Sequence, residues 1–388
     1  TPTPVPSPSP STSPTPTVTP TPSPTPINGD CTGINNCITL NNGINYQIID
    51  GWRATAGIGD INCAIQPYWT GCPGHFTGWS NVALDTAVEM GMNSIRLEVQ
   101  PSFENTRDWA SDFYNGIITY DEWRSNRYKS VNDNSNSNSI NANGFKWYKL
   151  DHDMTYMVLP LRQKLQAQGE TLRIEITYVD FGSSNFDQLS NPAEYAEFVL
   201  ATYQYMQSTY GFVPDVWDVI NEPDLSTPLY SGTQIGQAIK AAGDKLVANG
   251  FTAKFNGPSN TSTGQARFHI DAMASVPGAL QYIDTFTYHR YTGADVEMLG
   301  ELRNRAVLHS KKLAMTEWYL PQNSYVTLHE DLKFGINSSW EEFALAWLGP
   351  DTGGILVEVT GATSVTISQR AKFYRQYFKY VRRGAVRY

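Results

Sequence analysis

The chain has 388 residues, 40% of them hydrophobic, which suffices for one large domain or two small ones with a sizeable core. Its formal net charge of -9 argues against a nucleic-acid partner. The sequence has no apolar run of about 18 residues, so no membrane span is expected.

Residues 1–26 contain only Thr, Pro, Ser and Val, with 11 of the chain's 23 prolines and no charge. Such a segment cannot build a core and is expected to be a disordered, extended linker. The folded domain is expected over residues 27–388. Thr-Pro repeats of this kind resemble those between modules of secreted polysaccharide-degrading enzymes. A monomer once linked to another module through this segment is therefore expected. The four cysteines, Cys31, Cys37, Cys63 and Cys72, lie in loop-like sequence near the start of that domain. An even number at short spacings suits two disulfides in an oxidising compartment, and hence secretion. Of three possible pairings, Cys31–Cys37 with Cys63–Cys72 is the simplest. A zinc site, with His75 as the one nearby histidine, is the competing reading.

From there, short apolar runs alternate with helical patterns. The first strand is expected over 46–52, followed by a helix over 82–90 and a second strand over 94–100. Residues 101–147 form a long insertion with an Asn/Ser-rich run at 132–139. The aromatic residues that flank this run, Trp109, Trp123 and Trp147 among them, favour an ordered excursion beside a binding cleft over plain disorder. A helix is expected over 150–168 and a third strand over 172–180. The next helix has a clear start, with Asn191 as cap, Pro192 at its first position and Glu194 at the capping-box position, and Gly211 stops it. Strand four covers 216–223. Helices over 234–248, 265–274 and 295–308 then alternate with strands over 253–258, 284–291 and 312–319. A helix over 338–348, a strand over 354–360 and a helix over 368–381 complete the pattern. Eight strand–helix units in about 340 residues predict a (β/α)8 barrel, an α/β fold with a parallel sheet. No Gly-x-Gly-x-x-Gly opens the first helix, so no dinucleotide cofactor is expected.

In such a barrel, chemistry sits at the C-terminal ends of the strands. Strand four ends in Asn221-Glu222-Pro223 and strand seven in Thr316-Glu317-Trp318. Glutamates on opposite sides of the ring can face each other across the mouth, one protonated to serve the leaving oxygen and one ionised to attack a sugar. Asn221 can bond a sugar 2-hydroxyl, and Arg96 or Tyr291 can keep Glu317 ionised and oriented. Trp52 and Trp318 can stack on sugar faces. His289 and Tyr178 are further strand-end candidates, and Glu358 is the candidate at strand eight. Mid-strand Glu175 reads as a buried partner of Arg96 or Arg173. Trp217 and Trp347 read as core.

These strand ends resemble clan A, the retaining glycoside hydrolases with (β/α)8 barrels and catalytic glutamates on strands four and seven. His289-x-Tyr291 on strand six and Arg96 on strand two resemble that clan's supporting residues. Gln47-Ile-Ile-Asp-Gly-Trp and Phe378-Lys-Tyr-Val-Arg-Arg-Gly-Ala-Val-Arg look most like family 30, without its usual C-terminal β-sandwich part. Arg53 departs from that family, which usually has a small residue there. The resemblance implies Glu222 as acid/base and Glu317 as nucleophile of a retaining hydrolase. It needs no metal or organic cofactor, and its substrate is expected to be a β-linked polysaccharide such as xylan, glucan, galactan or mannan. A catalytically silent carbohydrate-binding barrel and a transglycosylase are the alternative readings.

Overall fold

The computed structural model describes residues 43–56, 76–182, 186–226, 228–319, 322, 324–348, 354–361 and 363–388. The Thr/Pro-rich segment and all four cysteines lie outside them, as does the proposed zinc ligand His75. Residues 45–387 form one compact unit.

The sheet is a closed ring of parallel strands: β1 (Gly51–Thr55), β2 (Ser94–Val99), β3 (Arg173–Tyr178), β4 (Val216–Asp218), β5 (Phe255–Ser262), β6 (Ile283–Thr292), β7 (Lys312–Glu317) and β8 (Ser339–Leu348). Each strand pairs with the next, and β8 closes on β1 with Gly51 opposite Ser339 and Trp52 opposite Trp340. This is the (β/α)8 barrel the sequence predicts. Two strands extend the sheet outside the ring: β9 (Ile355–Gly361) runs parallel to the far half of β8, and β10 (Ser364–Ile367) pairs antiparallel with β9.

The eighth strand corrects the sequence reading. Residues 338–348 were expected as a helix and 354–360 as the closing strand. In the structure Ser339–Leu348 closes the barrel, and the segment carrying Glu358 lies beyond the ring. A barrel strand is covered on both faces, so its apolar residues do not alternate, and Ala, Leu and Glu give it a helical look. Tertiary contacts decide it. Trp340 points outward and donates Nε1–H to Asp331 at 2.9 Å. Glu341 points inward onto the guanidinium groups of Arg53 and Arg96. The helical layer after β7 comes instead from α10 (Tyr325–Glu330, numbering the helices in chain order) and a π-helical turn over Asp331–Gly335.

The other helices follow the predicted pattern, including α1 (Phe76–Met90) and α6 (Pro192–Tyr210), which ends at Gly211 in a left-handed conformation. α7 (Gly232–Ala248) opens on a capping box from Ser231 and Gln234. The insertion is ordered: α2 (Trp109–Tyr114) and α3 (Tyr120–Asn126) pack Phe113, Tyr114 and Trp123 into a small apolar cluster of their own. The Asn-rich run forms successive Asx turns, in which the side chains of Asn132, Asn134 and Asn136 accept the N–H groups of Asn134, Asn136 and Asn138 at 3.0, 2.7 and 3.2 Å.

Asp331 ties the π-helical turn to two strands. It is fully buried and accepts from Tyr288 Oη at 2.6 Å, Arg290 Nη1 at 2.7 Å and Trp340 Nε1. Removing one partner of such a buried charged cluster leaves the other uncompensated. Asp331→Ala is expected to lower unfolding stability by about 3–5 kcal/mol; urea titration checks this, and a loss under about 1 kcal/mol would contradict the packing argument.

Candidate active site

The C-terminal end of β4 carries the first carboxylate. Glu222 takes φ +51°, a left-handed conformation that costs a non-glycine residue roughly 1–3 kcal/mol. The surroundings enforce it. Its N–H donates to Ser259 O at 3.0 Å, while its carbonyl accepts from Leu225 N at 2.9 Å, Ser226 N at 3.0 Å and Ser226 Oγ at 2.9 Å. Glu222 Oε1 lies 2.9 Å from His289 Nδ1.

Glu317 ends β7. Its Oε2 is paired with Arg96 Nη2, and its Oε1 accepts from Tyr291 Oη at 2.7 Å. Arg96 Nη1 also donates to Thr316 O at 2.9 Å, which fixes the guanidinium against the strand that carries the carboxylate. One oxygen from each glutamate and a ring nitrogen of His289 all lie within 4.8 Å of one another. That donor set is also the one group among the described residues with the spacing to hold a metal ion. Arg96 opposes a metal there, because its positive charge and the Tyr291 hydroxyl already engage both Glu317 oxygens.

The two carboxyls are pushed in opposite directions. Burial raises the Glu222 pKa, the His289 hydrogen bond opposes the rise, and the Glu317 charge adds to it. Burial also works against ionised Glu317. The Arg96 charge, then His289, with hydrogen bonds from Arg96 and Tyr291, outweigh burial and hold that pKa below the usual carboxylate value. Burial lowers the His289 pKa, but the Glu317 and Glu222 carboxylates reverse this and raise it.

Beneath the pair, the barrel interior is a buried ionic layer. Arg53 of β1 pairs with Glu175 of β3, and its Nε meets Glu341 Oε2 at 2.8 Å. Arg96 Nε meets Glu341 Oε1 at 3.1 Å, and Asn256 Nδ2 donates to Glu175 Oε2 at 2.6 Å. Glu175 is thus a structural partner, but of Arg53, not of Arg96 or Arg173. Burial raises Asp218 to about 8 and Glu341 to about 7.

A cleft of about 460 Å³ opens over the pair, walled by Asn221, Tyr319, Phe343 and Trp347 together with Tyr120, Arg127 and Tyr128 from the insertion. Two sequence candidates are placed elsewhere, for one reason. Side chains alternate along a strand, so the inward turn of Arg53 and Glu175 sends their strand-mates Trp52 and Tyr178 outward. Trp52 stacks on Phe378 at 4.8 Å and donates to Val381 O. Tyr178 packs edge-on to Tyr195 and Phe198 and bonds Gln188. Trp318 is nearly buried and stacks against Tyr291, with ring centroids 5.7 Å apart, behind the carboxylate. Trp347, which reads as core in the sequence, instead faces the cleft, because the strand carrying it closes the barrel. Phe343 lines the cleft for the same reason, and its helix-like surroundings in the sequence hide it. Trp217 is buried, as expected.

No protein-family model matches the chain, and no curated protein matches it in sequence. Solved structures do share its fold. The catalytic domain of GH30 xylanase C from Talaromyces cellulolyticus aligns with a TM-score of 0.62 and 16% identity over 90% of this chain and 79% of that one. SrfJ from Salmonella typhimurium aligns with a TM-score of 0.60 and 13% identity, over 88% and 77% of the two chains. The β-glycosidase from the hyperthermophile Thermosphaera aggregans aligns with a TM-score of 0.54 and 10% identity, over 87% and 98%. The chain therefore has the barrel architecture found in glycoside hydrolases.

The ion pair generates a direct test. Arg96→Met removes the main charge that favours ionised Glu317, so the Glu317 pKa should rise. Carboxyl ¹³C NMR titration of glutamate-labelled protein reads this, and an unmoved titration would refute the assigned role of Arg96.

Proposed function

We propose that this protein is a retaining glycoside hydrolase of clan A, most like family 30, that acts in endo fashion on a β-linked plant or microbial polysaccharide. The observation that carries the reading is the cross-barrel pair, with carboxylate oxygens within 4.8 Å and pKa values pushed apart by their surroundings. Retaining enzymes place their two carboxyl groups about 5–5.5 Å apart, whereas inverting enzymes need about 6.5–9.5 Å to admit a water. The short separation favours retention.

In the first step Glu222, held protonated by burial, gives its proton to the glycosidic oxygen while Glu317 attacks the anomeric carbon. The C–O bond to the leaving sugar breaks and a glycosyl ester forms on Glu317. In the second step Glu222, now ionised, takes a proton from water, whose oxygen attacks the same carbon and releases Glu317. His289 orients Glu222 through their hydrogen bond. Arg96 and Tyr291 fix Glu317 for attack. Asn221 Oδ1 is buried without a protein partner, which suits acceptance of a hydrogen bond from a sugar hydroxyl. Tyr128, Phe343 and Trp347 offer apolar faces to sugar rings.

The glutamates should separate cleanly by mutation. Glu222→Ala should lose about 10²–10⁴-fold on poor leaving groups, keep more on activated aryl glycosides and recover with azide. Glu317→Ala should not turn over by the retaining route. A proton NMR time course on the active glycan should show the β-anomer first. A panel of xylan, glucan, galactan and mannan names the substrate. No hydrolysis of any glycan, with tight binding kept in Glu222→Gln, would replace this reading by a silent carbohydrate-binding barrel. Dominant transfer at high acceptor concentration would replace it by a transglycosylase.

The pH profile follows from the same pair. Activity needs Glu317 ionised and Glu222 protonated. On the acid side kcat/KM should fall through the depressed pKa of Glu317, below the ordinary 4.5, and on the alkaline side through the raised pKa of Glu222. A profile that rises with pH throughout would contradict Glu222 as the acid.

We further propose that the protein is secreted, on the support of the Thr/Pro-rich segment and the even cysteine count. Thiol titration of the unfolded, unreduced chain should then find no free thiol among Cys31, Cys37, Cys63 and Cys72.

A further inference from the structure

The tip of β5 touches the strand end that carries Glu222 on both sides of that residue, through side chains with no part in the two reaction steps. Ser259 is the extra residue of a bulge: Pro258 lies opposite Thr287 and Asn260 opposite Tyr288, with Ser259 unmatched between them. It is fully buried and takes φ +52°, nearly the same left-handed conformation as Glu222 at +51°. The two residues are bonded to each other, since the Glu222 N–H donates to Ser259 O at 3.0 Å. The Ser259 hydroxyl donates to Asp218 Oδ2 at 2.9 Å, back on β4. It also lies 2.8 Å from Thr287 Oγ1, on β6 just before His289. Beyond Glu222, Asp224 accepts from Thr261 N and Thr261 Oγ1, both at 2.8 Å, and from Ser262 N at 3.1 Å. One short stretch of β5 therefore grips the Glu222 segment through Asp218 before it and Asp224 after it.

We propose that Asp218 and Ser259 are positioning residues for the acid/base, acting through the backbone of Glu222 without touching the substrate. The inference rests on the reading of Glu222 as acid/base given above. A left-handed φ is unfavourable for serine and glutamate alike, so each persists only where its surroundings over-determine it. The Asp218 carboxyl fixes the Ser259 side chain, the bulge presents the Ser259 carbonyl, and that carbonyl fixes Glu222 with Oε1 2.9 Å from His289 Nδ1. Thr287 ties the same hydroxyl to the strand that carries His289, so carboxyl and imidazole are set from one point. An apolar residue at 218 would spare the barrel the cost of burying a carboxyl, so the bond to Ser259 is what the position supplies. Glu317 is held separately, by Arg96 and Tyr291. Loosening Ser259 thus weakens proton donation and leaves the nucleophile in place. Burial pushes Asp218 up to about 8. Below that pH its neutral form and an asparagine offer Ser259 the same carbonyl acceptor.

Rates of the full chain on two substrates test this: a glycan, whose leaving sugar needs a proton, and an activated aryl glycoside, which needs little help. Ser259→Gly keeps the carbonyl and suits the left-handed φ, so it removes only the hydroxyl. This variant and Asp218→Ala should each lower kcat on the glycan by about 10²-fold, the cost of a misplacement of about 1 Å, with KM nearly unchanged. On the aryl glycoside the loss should be at least about tenfold smaller. In a Glu222→Ala background neither change should cost more, because the group they position is gone. Asp218→Asn should keep the glycan rate. Equal losses on both substrates, a full further loss in the Glu222→Ala background, or an Asp218→Asn rate as low as that of Asp218→Ala would each overturn the proposal. One readout needs no substrate: the ring ¹⁵N signals of His289 should shift in Ser259→Gly as Nδ1 loses Glu222 Oε1, and unmoved signals would overturn it as well. If the unaltered chain cleaves neither substrate, the hydrolase reading fails, and the His289 signals alone decide whether Ser259 positions Glu222.

Discussion

The guanidinium of Arg96 is the constraint on which the site depends. It is fully buried inside the barrel, where an unpaired charge would cost several kcal/mol. It is therefore divided between Glu317 above and Glu341 beside it, and Glu341 is shared in turn with Arg53, which reaches Glu175. Two arginines cannot neutralise every carboxyl in this interior. Glu341, although paired with both guanidinium groups, is pushed up to about 7 by burial. Against burial, the Arg96 and His289 charges hold the Glu317 pKa down, while burial pushes those of Glu222 and Asp218 up. The two glutamates are thus set apart by their surroundings, not by any chemical difference between them.

The scaffold serves that arrangement. Parallel strands bring residues distant in sequence to one layer, so Arg96 of β2 meets Glu317 of β7 and Glu341 of β8. Bulges in the β5–β6 and β6–β7 pairings re-aim the strand ends that carry His289 and Glu317. The insertion after β2 brings a small aromatic core of its own and supplies Tyr128 and Arg127 to the cleft wall.

The glutamate pair, its Arg96, His289 and Tyr291 partners and the eightfold alternation were legible in the sequence. Both glutamates end short apolar runs, and Asn221-Glu222-Pro223 marks one such end sharply. Two kinds of feature were not legible. The first is strand parity: Trp52 and Tyr178 sit beside inward residues, and nothing local says which face of a fully buried strand looks inward. The second is the last strand, whose Glu-Glu-Phe-Ala-Leu-Ala-Trp run suits a helix until Trp340 finds Asp331 and Glu341 finds two arginines. With that strand misplaced, Phe343 and Trp347 were lost as cleft residues and Glu358 stood in for them.

The sequence by itself therefore determined the class of fold and the chemical identity of the facing carboxylates, because hydrophobic runs, caps and turn residues act over a few positions. Only the tertiary structure decided which side chains enter the barrel, which carboxyl is pushed up and which held down in pKa, and which rings line the cleft. Those outcomes rest on contacts between residues as much as 329 positions apart, such as Trp52 with Val381, and on a shared buried charge balance that no single segment contains.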